Sequence, residues 1–228
     1  MECIQKFAKS NPELKGEKMT YMGRLDPLAE GVLLMASGED IKRKEEFLGL
    51  DKEYDFVSLF GFATDTYDVL GKILRVEKLK GFSENDIRKV ASIYEGERDQ
   101  EYPKYSSKRI AHPEIIPEKN KITVYKIQFH KLETLNSKEL FGRLLMDITK
   151  VKGDFRQHEI LTLWKEMLFK YSGAFPATFL GRFSAHVSSG TYIRDIVNNI
   201  GNTLGCAAAT LSIKRTRVGN YKIEDSLK

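Results

Sequence analysis

The sequence is poor in cysteine and histidine, which limits the metal sites and cross-links that it can build. Among 228 residues there are two cysteines, Cys3 and Cys206, and four histidines spread along the chain. Two thiols cannot form a disulfide framework or a four-thiolate zinc site. The histidines show neither an HExxH motif nor another paired spacing. We therefore expect a reducing compartment, the cytoplasm, and a mechanism without a metal or other cofactor.

Long apolar runs and linker-like stretches are missing as well. No run approaches the roughly 18 to 20 apolar residues of a membrane-spanning helix, and residues 1–18 lack the apolar core of a signal peptide. The sequence has no repeats and no segment rich in glycine and serine, while its hydrophobic share of 41% is ample for a core. These features predict one folded domain over residues 1–228, with no membrane association.

The spacing of apolar residues predicts helices and strands in an irregular order. Ser83 is a good N-cap for a helix over 84–94, and Asn136 or Ser137 can cap another that runs to about Ile148. Further helices are predicted at 2–10 and 191–205, and another is predicted to begin at a capping box of Asp154 and Gln157. Strands are predicted at 32–36, 53–62, 72–79, 122–133, 177–190 and 210–227. Because these elements do not alternate as βαβ units, we expect an α+β fold with a mixed, largely antiparallel central sheet flanked by helices.

Three residues are candidates for chemistry, although each also has a plain structural interpretation. Asp26 precedes Pro27 in a loop, where a rigidly held carboxylate could act as a nucleophile or simply cap its own turn. Tyr54 begins an aromatic strand and could be a core residue. Arg194 lies in the first turn of a helix, where a cation opposes the macrodipole. An acidic partner should compensate, and it could be Asp195, a phosphate or a buried aspartate elsewhere.

Two further groups of residues are compatible with binding but are not specific for it. Asp65 and Asp68, with neighbouring threonines, could be oxygen ligands for a cation, although the EF-hand spacing is absent. The tail at 210–228 holds five basic and two acidic residues, which suits phosphate contacts or a solvated face. Tyr102 and Tyr105 interleave with basic residues in a loop, a pattern that suits stacking on unpaired bases.

Five sequence blocks occur in one order along the chain. They are GRLDPLAEGVLL (23–34), KEYDFVSLFGFATDTYDVLGKI (52–73), YSSK (105–108), GTYIRDI (190–196) and IKRTRVGNY (213–221). With these blocks the chain resembles the TruB family of tRNA pseudouridine synthases, from about residue 1 to residue 225. The first block also resembles other pseudouridine synthase families, whereas the second and fourth blocks select TruB.

The resemblance implies an isomerase that converts uridine to pseudouridine in the TΨC loop of tRNA, at position 55. Asp26 matches the catalytic nucleophile, and Arg194 matches the arginine that pairs with it and would keep it ionised and aimed. Tyr54 matches the tyrosine proposed to stack on the target base and take the proton from C5. Asp68 matches an aspartate at the mouth of the site. Substrate contacts are expected from Tyr21, Arg24, Lys52, Asp68, Lys108 and Arg215.

Departures from the family pattern lead to further expectations. The usual opening strand, of the type DGxLxxxKPxGxTS, is missing ahead of the helix at 2–10, which indicates either a truncated sequence or a strand that is replaced or supplied by a partner. We expect no C-terminal RNA-binding domain, because the sequence stops at Lys228, just past the basic tail. Residues at about 133–176 exceed the family's usual link and predict a helical insertion on one end of the sheet, which could extend the RNA surface.

Two of the expected substrate contacts also depart from the family. Tyr21 stands where many members have histidine, and Arg24 replaces a small residue, so it could bind phosphate or hold Asp26 differently. The expected partner is the T-arm of tRNA, bound by a monomer. Two other functions stay open, namely a non-catalytic RNA-binding protein or tRNA-folding chaperone, and a related synthase acting on ribosomal RNA.

Overall fold

The computed structural model describes residues 2–14, 16–77, 81–103, 105, 119–170 and 177–226. The strands are β1 (Met19–Tyr21), β2 (Ala29–Gly31), β3 (Met35–Ser37), β4 (Lys52–Phe60), β5 (Phe62–Thr64), β6 (Ile73–Val76), β7 (Gly96–Gln100), β8 (Asn120–Leu135), β9 (Thr178–Val187), β10 (Ala208–Val218) and β11 (Tyr221–Lys222). The helices are α1 (Glu2–Ser10), α2 (Lys44–Gly49), α3 (Glu84–Ile93), α4 (Ser137–Lys150), α5 (Gln157–Lys170) and α6 (Ile193–Thr203).

Seven strands form the central sheet. Their order is β11-β10-β4-β9-β8-β7, and β2 joins β10 from the side. The β2–β10 pair is parallel and the other pairs of this sheet are antiparallel. Two small antiparallel sheets, β1 with β3 and β5 with β6, lie outside it. The structure confirms the predicted α+β class with a mixed, largely antiparallel sheet.

Helices cover both faces of the sheet, and β4 shows how the sequence specifies this. Successive side chains of a strand point to opposite faces. Phe56 and Phe60 belong to the cluster that contains residues of α3 and α6, whereas Val57 and Leu59 belong to the cluster that contains residues of α4 and α5. Because both faces are covered, this strand is apolar over most of its length.

The predicted helix caps are mostly confirmed. Ser83 forms a capping box with Asp86 ahead of α3, and Asn136 caps α4 by accepting hydrogen bonds from two backbone amides. The cap predicted at Asp154 is wrong. Its carboxylate accepts a hydrogen bond from the amide of Arg156, which lies before the helix, and α5 begins only at Gln157.

Two strand predictions change in the structure. The apolar run at 32–36 is extended by sequence pattern, but β3 begins only at Met35, because the Val32 amide bonds the carbonyl of Arg215 in β10 instead of a hairpin partner. The tail at 210–227 is indeed a strand as far as Val218. It lies within the sheet rather than on a solvated surface, since β4 pairs with one side of it and β2 and β11 with the other.

The segment between β8 and β9 contains the helix pair α4 and α5. Trp164 of α5 is fully buried and its indole Nε1 donates a hydrogen bond to the Val69 carbonyl at 3.1 Å. Its ring lies 5.1 Å from that of Phe62, centre to centre. The helix pair is therefore packed into the same core as the sheet. Within the described ranges, no helix combines the length and the apolar character that a bilayer crossing requires.

We predict that Trp164→Ala lowers the free energy of unfolding by about 3–5 kcal/mol, because it leaves a large cavity and an unpaired carbonyl. Trp164→Phe, the matched control, should cost clearly less, since most of the buried volume remains. Urea unfolding followed by circular dichroism measures both.

A single transition is expected for the unsubstituted chain, and two separate transitions would contradict the prediction of one domain.

Candidate active site

The loop that carries Asp26 is fastened to β10. β2, which follows the loop, pairs in parallel with residues 213–215, and the Val32 amide donates a hydrogen bond to the Arg215 carbonyl at 2.8 Å. Gly31 has φ of +106°, and a Cβ there would collide with the same Arg215 carbonyl. Glycine is therefore required where the two backbones meet. Within the loop, the Ala29 amide donates to the Asp26 carbonyl at 2.9 Å and closes a turn.

Asp26 and Arg194 form a two-pronged ion pair. Nε of Arg194 lies 2.8 Å from Oδ2 of Asp26, and Nη2 lies 3.1 Å from Oδ1. The arginine side chain is 4% exposed, whereas the aspartate side chain is 35% exposed. A guanidinium that bonds both oxygens fixes the plane of a carboxylate as well as its position. The buried arginine thus aims an aspartate that solvent and substrate can still reach.

The acidic partner predicted for the first turn of α6 is therefore a distant aspartate. The neighbouring Asp195 is engaged elsewhere, where its carboxylate accepts hydrogen bonds from Gln100 and Asn199 at 3.0 Å each. Arg194 and Asp26 are 168 residues apart in sequence. The unfavourable placement of a cation near a helix N-terminus is offset by this contact.

The loop at 64–72 completes the surroundings of Arg194. Its Nη1 donates to the Thr66 carbonyl at 2.7 Å and lies 3.7 Å from Oδ2 of Asp68. Oδ1 of Asp68 accepts hydrogen bonds from the Thr66 hydroxyl at 2.6 Å and from the Leu70 amide at 3.0 Å. Each of the three guanidinium nitrogens consequently has an acceptor.

Asp68 lies behind Arg194, not at the mouth of the site as the resemblance implies. The residue is 6% exposed. Burial raises its pKa to about 6, although Arg194 and the Thr66 hydroxyl oppose the rise. Asp68 does not line the pocket that contains Asp26. It contributes to the site by its charge beside the arginine.

Tyr54 and Asp26 line the same small pocket, of about 100 Å³. The complete lining is Arg24, Leu25, Asp26, Ala29, Tyr54, Thr191, Tyr192, Ile193 and Ile213. Tyr54 stands opposite Arg215 in the β4–β10 register. Burial raises the pKa of the Tyr54 hydroxyl above its ordinary value, and the Arg215 guanidinium opposes this rise. The structure therefore brings together the three residues that sequence reasoning selected, with Arg194 acting through Asp26.

Two of the basic residues expected to contact substrate are instead buried. Lys52 is 7% exposed, and its Nζ donates to the carbonyls of Leu48, at 2.7 Å, and Leu50. Burial lowers its pKa to about 8, with Arg215 adding to the effect. Arg215 is 3% exposed and donates from Nε to the Val32 carbonyl at 2.7 Å. Both cations bind backbone carbonyls near the site.

The other expected substrate contacts divide three ways. Arg24 is exposed and lines the pocket beside Asp26. Tyr21 is half-buried in β1, paired with Met35, and does not line the pocket. Lys108 lies outside the described residues.

Sequence reasoning missed several parts of the site. Tyr192 and Ile193 line the pocket directly before Arg194, and their place in the GTYIRDI block is a signal that could have found them. Leu25 also lines the pocket, and it directly precedes Asp26 in the GRLDPLAEGVLL block. The Thr66 carbonyl could not have been found, because every residue carries a carbonyl and only the fold selects one.

The cation-binding alternative for Asp65 and Asp68 finds no support. Within the part of the chain that the structure describes, no three carboxylate, imidazole or thiol side chains come together as a metal site. Asp65 instead pairs with Arg156, and Asp68 lies beside Arg194. The two carboxylates balance two arginines.

A larger cleft, of about 660 Å³, lies on the other side of the Asp26 loop, between the sheet and α4. Several of its charges are already balanced. Arg143 and Lys150 both lie 3.7 Å from Asp147, and Arg182 pairs with Glu133 at 2.6 Å. Such internal pairing leaves little net charge to attract a chain of phosphates.

We predict that Asp68 titrates near pH 6, which is above the ordinary value of 3.8 because the carboxylate is buried. The folded chain then binds this proton more tightly than the unfolded chain, so the stability contribution of Asp68 falls as pH rises from about 4 to about 6. Asp68→Asn should remove this fall, so that its stability gains on the unsubstituted chain across that window. Urea unfolding at a series of pH values tests this, and a constant difference, or one of opposite slope, would contradict it.

Comparisons with known proteins follow from the sequence and from the fold. Residues 11–155, more than half of the chain, match the model of the TruB family pseudouridylate synthase N-terminal domain. The protein named tRNA pseudouridine synthase B from Chlamydia felis is 30% identical over 213 residues, covering 92% of this chain and 75% of the relative. Proteins of the same name from Chlamydia muridarum and Thermotoga petrophila are each 29% identical, with 73% and 58% of the relative covered.

Solved structures agree on the fold. A Cbf5–Nop10–Gar1 complex contains a chain that superposes with a TM-score of 0.58 at 21% identity, over 96% of this chain and 46% of that one. An H/ACA RNP bound to a substrate RNA containing 2′-deoxyuridine gives a TM-score of 0.56 at 20% identity, over 96% and 44%. This chain thus spans less than half of those chains and up to three quarters of the curated relatives named above. The family match, the relatives and the fold agree, and the chain belongs to the TruB family of pseudouridylate synthases.

Proposed function

We propose that this chain isomerises uridine to pseudouridine in the TΨC loop of tRNA, at position 55, with Asp26 as the nucleophile. The observation that carries the proposal is the Asp26–Arg194 pair, in which a buried guanidinium presents a reachable carboxylate to a pocket walled by Tyr54. Relatives named tRNA pseudouridine synthase B support tRNA as the substrate.

The reaction breaks the bond between C1′ and N1 of uridine and forms a bond between C1′ and C5. C5 loses a proton and N1 gains one, so there is neither oxidation nor net hydrolysis. A carboxylate can assist by attacking covalently, at the sugar or at the base, and leaving again. Arg194 holds both oxygens of Asp26 during these steps, so that the attacking atom is oriented before the substrate arrives. None of these steps requires a cofactor.

Tyr54 is proposed to receive the target base and its C5 proton. A uridine must leave its stack to reach a pocket of this kind, and an aromatic ring compensates for the lost stacking. Burial disfavours the Tyr54 phenolate, while Arg215, which faces it across the strands, favours that form. Arg215 therefore supports the proton acceptor as well as the loop that carries Asp26.

The wider setting is proposed on less direct grounds. We propose a single domain that acts as a monomer in the cytoplasm and binds the T-arm of tRNA. The formal net charge of +5 supports attraction to a polyanion. Arg24, exposed beside Asp26, is the described cation best placed to contact a phosphate near the target nucleotide.

We predict that Asp26→Asn abolishes pseudouridine formation while tRNA binding persists, because the amide cannot act as the nucleophile. Pseudouridine mapping on an unmodified tRNA transcript measures product, and titration at several salt concentrations measures binding. Asp40→Asn, which removes an exposed carboxylate remote from the pocket, is the control. Product from Asp26→Asn equal to that from the unsubstituted chain would reject the nucleophile. Salt-dependent tRNA binding without any product would favour the non-catalytic RNA-binding alternative.

We predict that Tyr54→Phe lowers the single-turnover rate at saturating tRNA by about 100-fold or more, because the ring remains but the proton acceptor is lost. The tRNA dissociation constant should change by less than about twofold, since stacking is retained. Tyr125→Phe, at an exposed tyrosine of β8, is the matched control and should leave the rate unchanged. A normal rate for Tyr54→Phe would mean that another group removes the C5 proton.

A further inference from the structure

We propose that the start of α5 is a positioning element of the active site, in which Arg156, the residue directly before the helix, fixes the loop at 64–72 and thereby Arg194 and Asp26. The catalytic part of this inference rests on the proposed function. Arg156 does not touch the pocket. It acts through the loop, so it is a positioning residue and not a catalytic one.

The first step is an ion pair between the helix and the loop. Nη1 of Arg156 lies 3.0 Å from Oδ2 of Asp65, whose side chain is 14% exposed. The other oxygen of Asp65 accepts a hydrogen bond from the Lys72 amide at 2.8 Å, and the Asp65 amide donates to the Lys72 carbonyl at 3.1 Å. Arg156 therefore binds the loop at Asp65, where the two ends of the loop are hydrogen-bonded to each other through Lys72.

The second step leads from the loop to the catalytic pair. Thr66 directly follows Asp65, and its carbonyl accepts the 2.7 Å hydrogen bond from Arg194. Arg194 in turn holds both oxygens of Asp26. The residue that Arg156 contacts and the residue that accepts from Arg194 are thus adjacent in sequence. A shift of the loop would consequently change the direction in which the guanidinium points.

The loop is tightly built and leaves little freedom for other arrangements. A Cβ on Gly71 would lie 2.7 Å from Oδ1 of Asp65 and still closer to the Thr66 hydroxyl. Farther along, the Val69 carbonyl accepts the indole hydrogen bond of Trp164, which also belongs to α5. Arg156, directly before α5, and Trp164, within it, thus hold this loop at two places.

Both sides of the contact between Arg156 and the loop at 64–72 contain a residue with an unusual backbone conformation. Among the described residues, those outside glycine with positive φ are Tyr67, at +63°, and Arg156, at +64°. One lies in the loop and the other at the start of α5. Residues other than glycine and asparagine rarely adopt a positive φ, and they keep it where the surrounding structure holds them in place. An arginine at a position that suits glycine is consistent with a role for its side chain.

The arrangement belongs to the helical segment that the sequence analysis identified as longer than the family's usual link. An extended RNA surface is the role expected for this segment from the sequence. Arg156 is already committed, because its guanidinium pairs with Asp65 and lies 5.2 Å from the centre of the Tyr105 ring. A cation held in this way is less available to RNA phosphates than an exposed lysine such as Lys165 of the same helix.

The test compares Arg156→Asn with Lys165→Asn in the full chain. Asparagine tolerates positive φ, so the first variant removes the ion pair without adding backbone strain. The second removes an equal charge from the same helix. The measurements are the single-turnover rate at saturating tRNA transcript, the dissociation constant for that transcript, and hydrogen exchange at Nε of Arg194 by NMR. Arg156→Lys tests rescue by the conservative change.

We expect Arg156→Asn to lower the rate by about tenfold or more and to speed exchange at Arg194 by about tenfold, with affinity within about twofold. Lys165→Asn should change neither rate nor exchange, and Arg156→Lys should restore part of both. Unchanged exchange at Arg194 overturns the inference, as does weaker tRNA binding at an unchanged rate, which would indicate an RNA surface. If the unsubstituted chain makes no pseudouridine, the proposed function fails, while exchange at Arg194 still decides whether Arg156 positions it.

Discussion

A buried guanidinium cannot be left without acceptors, and the region around Arg194 is arranged to meet that demand. Burying a charge is costly unless it is paired and hydrogen-bonded. Asp26, the Thr66 carbonyl and Asp68 come from two loops distant in sequence, and all three lie against the one side chain from α6. The pair is uneven in exposure, because the arginine is enclosed and the aspartate is partly open. The carboxylate of this ion pair is therefore held in a fixed orientation and is still partly open to solvent.

Other buried cations near the site share the work of holding it. Arg215 bonds the Val32 and Gly23 carbonyls on either side of the Asp26 turn, and Lys52 bonds two carbonyls at the end of α2. Carbonyl oxygens accept the hydrogen bonds of these two cations but carry no formal negative charge, so the positive charges are not neutralised. The positive charge of Arg215 therefore remains close to Tyr54, where it favours the phenolate form that burial disfavours.

The fold could be predicted from local sequence patterns, whereas Asp26, Tyr54 and Arg194 were selected together only through the family resemblance. Alternation in β4 and the capping residues of α3 and α4 indicate their elements directly. Lys52 and Arg215 were expected to face RNA, and the structure shows both side chains buried. Strand parity was a signal of this burial, because Lys52 lies on the same face of β4 as Tyr54 and Phe56. The Arg156–Asp65 contact could not be predicted, as it joins elements 91 residues apart without any periodic signal.

The fastening of the Asp26 loop by β10 also bears on how the protein is made. The hydrogen bonds from Arg215 to Val32 and Gly23 span 183 and 192 residues of sequence. Contacts of such separation form late, and chains emerge from the ribosome from the N-terminus onward. A nascent chain that already displays its aspartate still lacks the strand that secures it. The Asp26 loop therefore cannot be fastened in its final place until translation has passed residue 215.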